Sequence, residues 1–434
     1  MPLLRHADDR RSFLKLIAAA PLLATIRGRS LAAAVTSAAK PAAAAHDLSN
    51  NLYTQLGVRP FINARGTWTY LSGSLELPEV RTAVEGASHY FVDIFELQAA
   101  AGRHLAKLSG AESGMVTGGS AAAISAATAG CMAGTDKKKV YQLPDTTGMK
   151  NEVVMLGGRT AFDSAIRLTG AKVVSAPTVN DLRAAITPRT AMVYALWRDE
   201  RLDAALKITK AAGVPLMLDD AAGIPPFEYF TRPAKMGVDL YCFSGGKGLR
   251  GPQSSGVLLG RKDLIDAALA NTSPWEGAIC RSMKVGKEEV MGVLAALDHW
   301  SHTDIAPQMK VWQAAVERIK KLIETVPGIT GTITVPTAGN SYPTLTVDWD
   351  EQKFGLTVEQ CDDQLRSGTP RIEALTDSNP SGVLPEISNT NPNRQGAHKN
   401  QLQIISMNLQ PGEDLIIGDR LRQIFTAARK KAAA

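Results

Sequence analysis

The sequence predicts an α/β fold, a mainly parallel sheet with helices on both faces, joined to a smaller C-terminal α+β domain. Three observations predict it. Short apolar runs alternate with helical patterns from about residue 95 to 270, as in a covered parallel sheet. After Asp263 the texture changes to long helical patterns mixed with a few separated strands. The residues with chemical potential stand at the ends of apolar runs, where open α/β sheets bind ligands.

The N-terminus comes first. Asp9-Arg10-Arg11-Ser12-Phe13-Leu14-Lys15 precedes a short apolar stretch, Leu16–Ala24, and then small-residue segments at Leu31–Val35 and Pro41–Ala45. Charged, apolar and small-residue regions in that order make an export signal, too short to span a bilayer. The paired arginines resemble the twin-arginine signal of proteins exported folded. Residues 1–45 are therefore expected to be a cleaved signal read by the twin-arginine translocon, with a periplasmic destination. The segment also explains the net charge of +6: it holds seven basic and two acidic residues, and without it the chain keeps 41 basic against 40 acidic. That near-neutral body gives no support to nucleic-acid binding.

The body has 44% hydrophobic and 21% charged residues. This excludes a disordered chain and a collagen-like fibre. It has no apolar run of 18 residues, which excludes a polytopic membrane protein. Cys131, Cys242, Cys280 and Cys361 show no C-x-x-C spacing, and His89, His104, His299 and His302 show no metal spacing, so no metal is expected.

In chain order, residues 46–90 form an N-terminal segment expected to reach the active site, 91–284 the large domain and 285–434 the small one. Helical spacing predicts helices at Ile94–Leu108, Ser120–Met132, Phe162–Thr169, Asp181–Ile186 and Leu202–Ala212. Apolar runs predict strands at Val140–Leu143, Val153–Leu156, Lys172–Ser175, Ala191–Leu196, Val214–Leu218, Asp239–Phe243 and Gly256–Leu259. In the small domain Lys287–His299, Gln308–Val326 and Gly412–Lys430 read as helices, and Ile329–Val335, Thr344–Val347, Arg371–Ala374 and Gln403–Met407 as strands. The loop Thr376–Lys399 is long enough to be functional.

Three segments carry chemistry. In Phe243-Ser244-Gly245-Gly246-Lys247-Gly248 a strand ends in a glycine turn that presents one lysine. Glycines allow close backbone approach, and a desolvated amine loses pKa toward nucleophilic use; alone, the pattern more often describes a solvated surface lysine. In Val214–Gly223 an apolar run meets Asp219-Asp220. Asp219 comes first and is aimed at the ligand, with Asp220 turned away or capping the next turn; a plain Asp–Asp helix cap is the alternative. In Thr117-Gly118-Gly119-Ser120 a strand-like pair leads into an Ala-rich helix, whose free amides suit a phosphate or merely an ordinary cap.

Taken together, these segments resemble the large domain of fold type I pyridoxal-phosphate enzymes, with their mainly parallel, seven-stranded-type sheet. Finer stretches, Phe61–Ser74, Phe91–Gln98, Gly110–Glu112, Phe243–Gln253 and Arg281–Glu289, resemble the selenocysteine synthase-like group and its ammonia-lyase branch. The resemblance covers about residues 50–430. It implies pyridoxal 5'-phosphate attached covalently to Lys247, with Asp219 at its ring nitrogen. It implies a phosphate held by Gly118, Gly119, Ser120 and Ser244, with Lys284 reaching a neighbouring subunit's cofactor. Active sites at subunit interfaces imply a homodimer or higher homo-oligomer. The small-domain Arg371 is a candidate for a substrate carboxylate, and Asn63, Arg65, Thr67 and Tyr70 for the cleft wall. The chain departs from the group at Gly157-Gly158-Arg159-Thr160, where Gly-His-Arg-Asn is expected, so that Gly158 stands for the histidine.

The function so implied is a lyase that eliminates and deaminates an amino acid or amino sugar acid to a 2-oxo acid and ammonia. A racemase or epimerase, an aminotransferase, and a silent cofactor-binding protein are the alternatives.

Overall fold

A computed structural model describes residues 48, 51–196, 198–336, 341–376 and 401–432. The expected signal at 1–45, and the expected functional loop apart from Thr376, lie outside them. No helix among the described residues is long and apolar enough to cross a membrane.

A short helix, Leu52–Gln55, precedes strand β1 (Phe61–Ala64). β2 (Ser113–Thr117), β3 (Glu152–Leu156), β4 (Lys172–Ala176), β5 (Thr190–Ala195), β6 (Leu216–Asp219), β7 (Leu240–Ser244) and β8 (Gly256–Gly260) then form one sheet in the order β2-β8-β7-β6-β5-β3-β4. Neighbours from β7 to β4 pair in parallel, and β8 runs antiparallel to β7 and β2. The carboxyl ends of β2, β3, β5, β6 and β7 therefore share one edge, where the three chemical segments emerge.

The strands are buried on both faces because helices cover both, and side chains alternate between two cores. Leu216 and Leu218 pack in one core with Val193, Tyr241 and Phe243. Met217 packs in the other with Met155, Met192, Tyr194 and Cys242. That second core also receives Ala123, Ala126 and Ala127 of the helix Ser120–Ala133 and Ala165–Ile166 of the short helix Asp163–Arg167, which ends the turn after β3. Asp219, one step past Leu218, continues the face of Met217. It thus shares a side with the start of the Ser120 helix.

β9 (Thr330–Thr334), β10 (Thr344–Asp348) and β12 (Leu402–Ile405) make a three-stranded antiparallel sheet. β11 (Arg371–Ala374) pairs in parallel with β1, Phe61 opposite Arg371. Ile62 and Ala64 accordingly join the small-domain core with Val316, Ile319, Leu345 and Phe425.

The structure differs from two expectations. Val140–Leu143 is not a strand: Lys137–Gln142 is a helix, capped by the Asp136 side chain on the Lys138 amide, and Val140 and Leu143 are its buried i, i+3 pair. The cores also divide elsewhere than at residue 285. The helix Lys287–Ser301 buries Val290, Val293, Leu297 and Trp300 in the large-domain core, together with Leu77 and Val80 of the N-terminal segment.

Candidate active site

Lys247 leaves β7 through a turn that is packed tightly by protein rather than left open. A side chain at Gly245 would meet the Ser255 hydroxyl, one at Gly246 would meet Gln253, and one at Gly248 would lie 1.9 Å from the Tyr342 hydroxyl and 2.2 Å from the Ile224 carbonyl. The glycines were expected to make room for a ligand; they let the chain close on itself instead. Gly248→Ala should therefore cost about 1–3 kcal/mol by overpacking. An unchanged melting temperature of the cofactor-free protein would contradict this packing.

The N-terminal segment clasps the same turn. Ser74 Oγ donates to the Lys247 carbonyl at 2.7 Å, the Leu77 amide donates to Arg250 O, and Arg250 Nε donates to Leu75 O. The Lys247 amine is held down in pKa by burial, against the opposing pull of Asp219. A depressed pKa leaves more of the neutral amine, the form that attacks a carbonyl. The amine lies 5.9 Å from the centroid of the Phe162 ring.

Asp219 is 5% exposed. Its Oδ2 accepts from Tyr194 Oη at 2.6 Å, and its Oδ1 accepts from the Ala221 amide at 3.1 Å and, more weakly, from Cys242 Sγ. Burial and the carboxylate hold the Tyr194 phenol far above its ordinary pKa, so it remains a donor. Asp220 turns to the other side, as expected. It pairs with Arg198 at 3.3 Å, and its Oδ2, buried against Gly223, has no hydrogen-bond partner among the described residues. Burial pushes its carboxyl up to about 7. The role of Tyr194 was missed in the sequence, although a tyrosine inside the apolar run Ala191–Leu196 needs a partner for its hydroxyl and was a usable signal.

The phosphate-type cradle forms where β2 enters the Ser120 helix. Gly119, at φ +102°, caps that helix, and among the described residues nothing lies within 4 Å of where its side chain would point. Gly256 of β8 backs it so closely that a side chain there would meet Gly119 and the Ser120 amide. Gly118 lies against the Met283 and Lys284 carbonyls. Lys284 itself is exposed. Ser244 ends β7 and donates its amide to Ala221 O.

Pyridoxal phosphate fits these residues end by end. Lys247 would offer an amine to its aldehyde, Asp219 a hydrogen-bonded carboxylate to its ring nitrogen, and the Ser120 helix start its amides to the phosphate.

Three of the expected substrate residues, Arg371, Asn63 and Arg65, are held by other partners. Arg371 pairs with the buried Glu373, lies over Phe61 and lines an open groove of about 470 Å³ with Arg59, Asp363, Gln364 and Arg366. Asn63 closes its own turn, accepting from the Arg65 and Gly66 amides and donating to Gly66 O. The buried Arg65 donates to Ala374 O at 2.8 Å, tying the first turn to the end of β11. Tyr70 stands beside this group at 41% exposure, its phenol raised by partial burial. None of these described contacts reaches Lys247.

Comparison with known proteins follows this geometry. The aminotransferase class-V model matches residues 116–351. The D-glucosaminate-6-phosphate ammonia lyase of Salmonella typhimurium is 30% identical over 75% of this chain and 90% of its own. The 5'-C-glycyluridine monooxygenase-decarboxylase of a Streptomyces species is 32% identical over 74% and 83%. An L-seryl-tRNA(Sec) selenium transferase of Moorella thermoacetica is 26% identical over 62% of each chain. Among solved structures, a D-glucosaminate-6-phosphate ammonia-lyase superposes with a TM-score of 0.71 at 28% identity, over 88% of this chain and 99% of that one.

Proposed function

Since the chain belongs to the aminotransferase class-V family, of fold type I and with pyridoxal phosphate as cofactor, we propose that it is a lyase. Its substrate is an amino acid or amino sugar acid with a hydroxyl on the β-carbon. The observation that carries this reading is the buried Lys247 amine beside Asp219, in a chain similar to an ammonia-lyase along almost that enzyme's whole length.

When bound, the cofactor withdraws electrons from the substrate's α-carbon and lowers the cost of breaking a bond there. The chain's residues do the rest. Asp219, held by Tyr194 and the Ala221 amide, keeps a negative charge where the ring nitrogen must stay protonated. The Lys247 amine, displaced by the substrate's amine, takes the α-proton. The β-hydroxyl leaves as water with a proton returned from Lys247. The released enamine becomes an imine and is hydrolysed, so that one substrate gives one 2-oxo acid and one ammonia, with no net oxidation.

Screening β-hydroxy amino acids and aldonic amino acids for equal release of ammonia and 2-oxo acid tests this. Racemisation or amino transfer without ammonia would overturn it. The similarity to a monooxygenase-decarboxylase supports a second reading, in which the α-carbon loses its carboxylate and dioxygen is consumed. Carbon dioxide release coupled to oxygen uptake would favour that one.

The proposed compartment is the periplasm, reached by twin-arginine export of the folded protein, which favours a substrate without the phosphate of cytoplasmic sugar acids. Arg10→Lys with Arg11→Lys should leave folded protein in the cytoplasm. Undiminished periplasmic accumulation in fractionated cells would refute export by this route. The proposed assembly is a homodimer or higher homo-oligomer. Exposed Tyr90, Phe91, Val92 and Phe95, with Trp275 edge-on to Phe95, supply an apolar surface suited to a second copy.

A further inference from the structure

The cofactor has a partner for its aldehyde, its ring nitrogen and its phosphate, but its flat face also needs one. The histidine expected at position 158 is a glycine. Gly158 has φ +88°, where any side chain would be strained, and among the described residues only Ser175 Oγ comes within 4 Å of where that side chain would point. Nothing at that position can cover a ring.

Four residues later the chain supplies a ring of its own. Phe162 belongs to the turn after β3, whose Ala165 and Ile166 lie on the same side of the sheet as Asp219 and the Ser120 helix. The Lys247 amine reaches to 5.9 Å from its centroid. The turn is fixed in three ways. The Phe162 amide donates to Thr160 Oγ1, Thr160 is 2% exposed, and the buried Asp163 holds both Arg159 at 2.5 Å and Arg167 at 2.9 Å. Ser125 of the Ser120 helix donates to Ala165 O at 2.8 Å, joining this turn to the helix whose start forms the phosphate cradle. Phe162 is thus placed by the same framework that places the groups meeting the aldehyde, ring nitrogen and phosphate.

We propose that the Phe162 ring is the platform on which the cofactor's pyridine ring lies, replacing the expected imidazole from a different position in the turn. A phenyl ring stacks on a heteroaromatic ring but neither donates nor accepts a proton. Cofactor binding at this face therefore carries no titration of its own, and proton transfer rests with Lys247. The inference rests on the site reading above.

Binding without the covalent link isolates the platform. In full-length protein with Lys247→Ala, pyridoxal 5'-phosphate is titrated and followed by its visible absorbance. Adding Phe162→Ala should weaken binding roughly tenfold or more, while Phe162→Tyr should stay within about threefold. Phe162→Leu, which keeps an apolar group and guards against misfolding of the alanine variant, should fall between them. Equal affinities with Phe, Leu and Ala at position 162 would overturn the platform and leave the Lys247 site standing. Failure of the Lys247→Ala protein to take up the cofactor at all would overturn both.

Discussion

Lys247→Ala should abolish turnover, by about 10⁴-fold or more, while the protein still folds and still takes up pyridoxal phosphate. The loss is large because one amine does two jobs, attaching the cofactor and moving the α-proton, and each contributes orders of magnitude. Folding should survive because what fixes the turn is backbone. Ser74 holds the Lys247 carbonyl, Arg250 donates its amide to the same oxygen, and Gly248 sits against Tyr342 and Ile224. None of these uses the amine. Cofactor uptake should survive because the cradle at Gly119–Ser120 and the Asp219 carboxylate are untouched. Activity assays, with cofactor content measured by absorbance after gel filtration, check both halves. Turnover within tenfold of the parent would place the chemistry on another residue.

The second large effect separates two adjacent acids. Asp219→Asn should reduce turnover by about 10²–10³-fold, the scale of losing one preorganised electrostatic partner in a buried site. The Asn oxygen can accept from the Ala221 amide while its NH2 donates to the Tyr194 oxygen, so the fold is kept while the charge opposite the ring nitrogen is lost. Asp220→Asn should stay within about tenfold. Its carboxyl is pushed up to about 7 by burial, which disfavours the charged form, so a neutral amide of the same shape changes little. The reverse ranking would mean that Asp220, not Asp219, faces the cofactor.

The sequence made the central sheet and the three chemical segments readable because their signals are local. Buried parallel strands are continuous apolar runs, and Asp219, Lys247 and the Gly118–Ser120 turn each stand at the end of one. Short apolar patches were not readable: Val140 and Leu143 fit a strand or a helix equally, and the deciding cap, Asp136, lies four residues upstream. Long-range pairing was also hidden. β1 joins β11 across some 300 residues, which turns Asn63 and Arg65 into supports for that junction. Arg371 has the chemistry of a carboxylate clamp, but Glu373, two residues along the same strand, already takes its guanidinium. Phe162 was invisible as a site residue because only folding brings the turn after β3 beside the amine that follows β7.

The account stands on one residue, and chemical trapping tests it most directly. The holoenzyme is reduced with borohydride, digested and mapped for the phosphopyridoxyl group. The label should fall on Lys247 alone, within the peptide that carries Ser244-Gly245-Gly246-Lys247-Gly248. A label on any other lysine would contradict the assignment of the site.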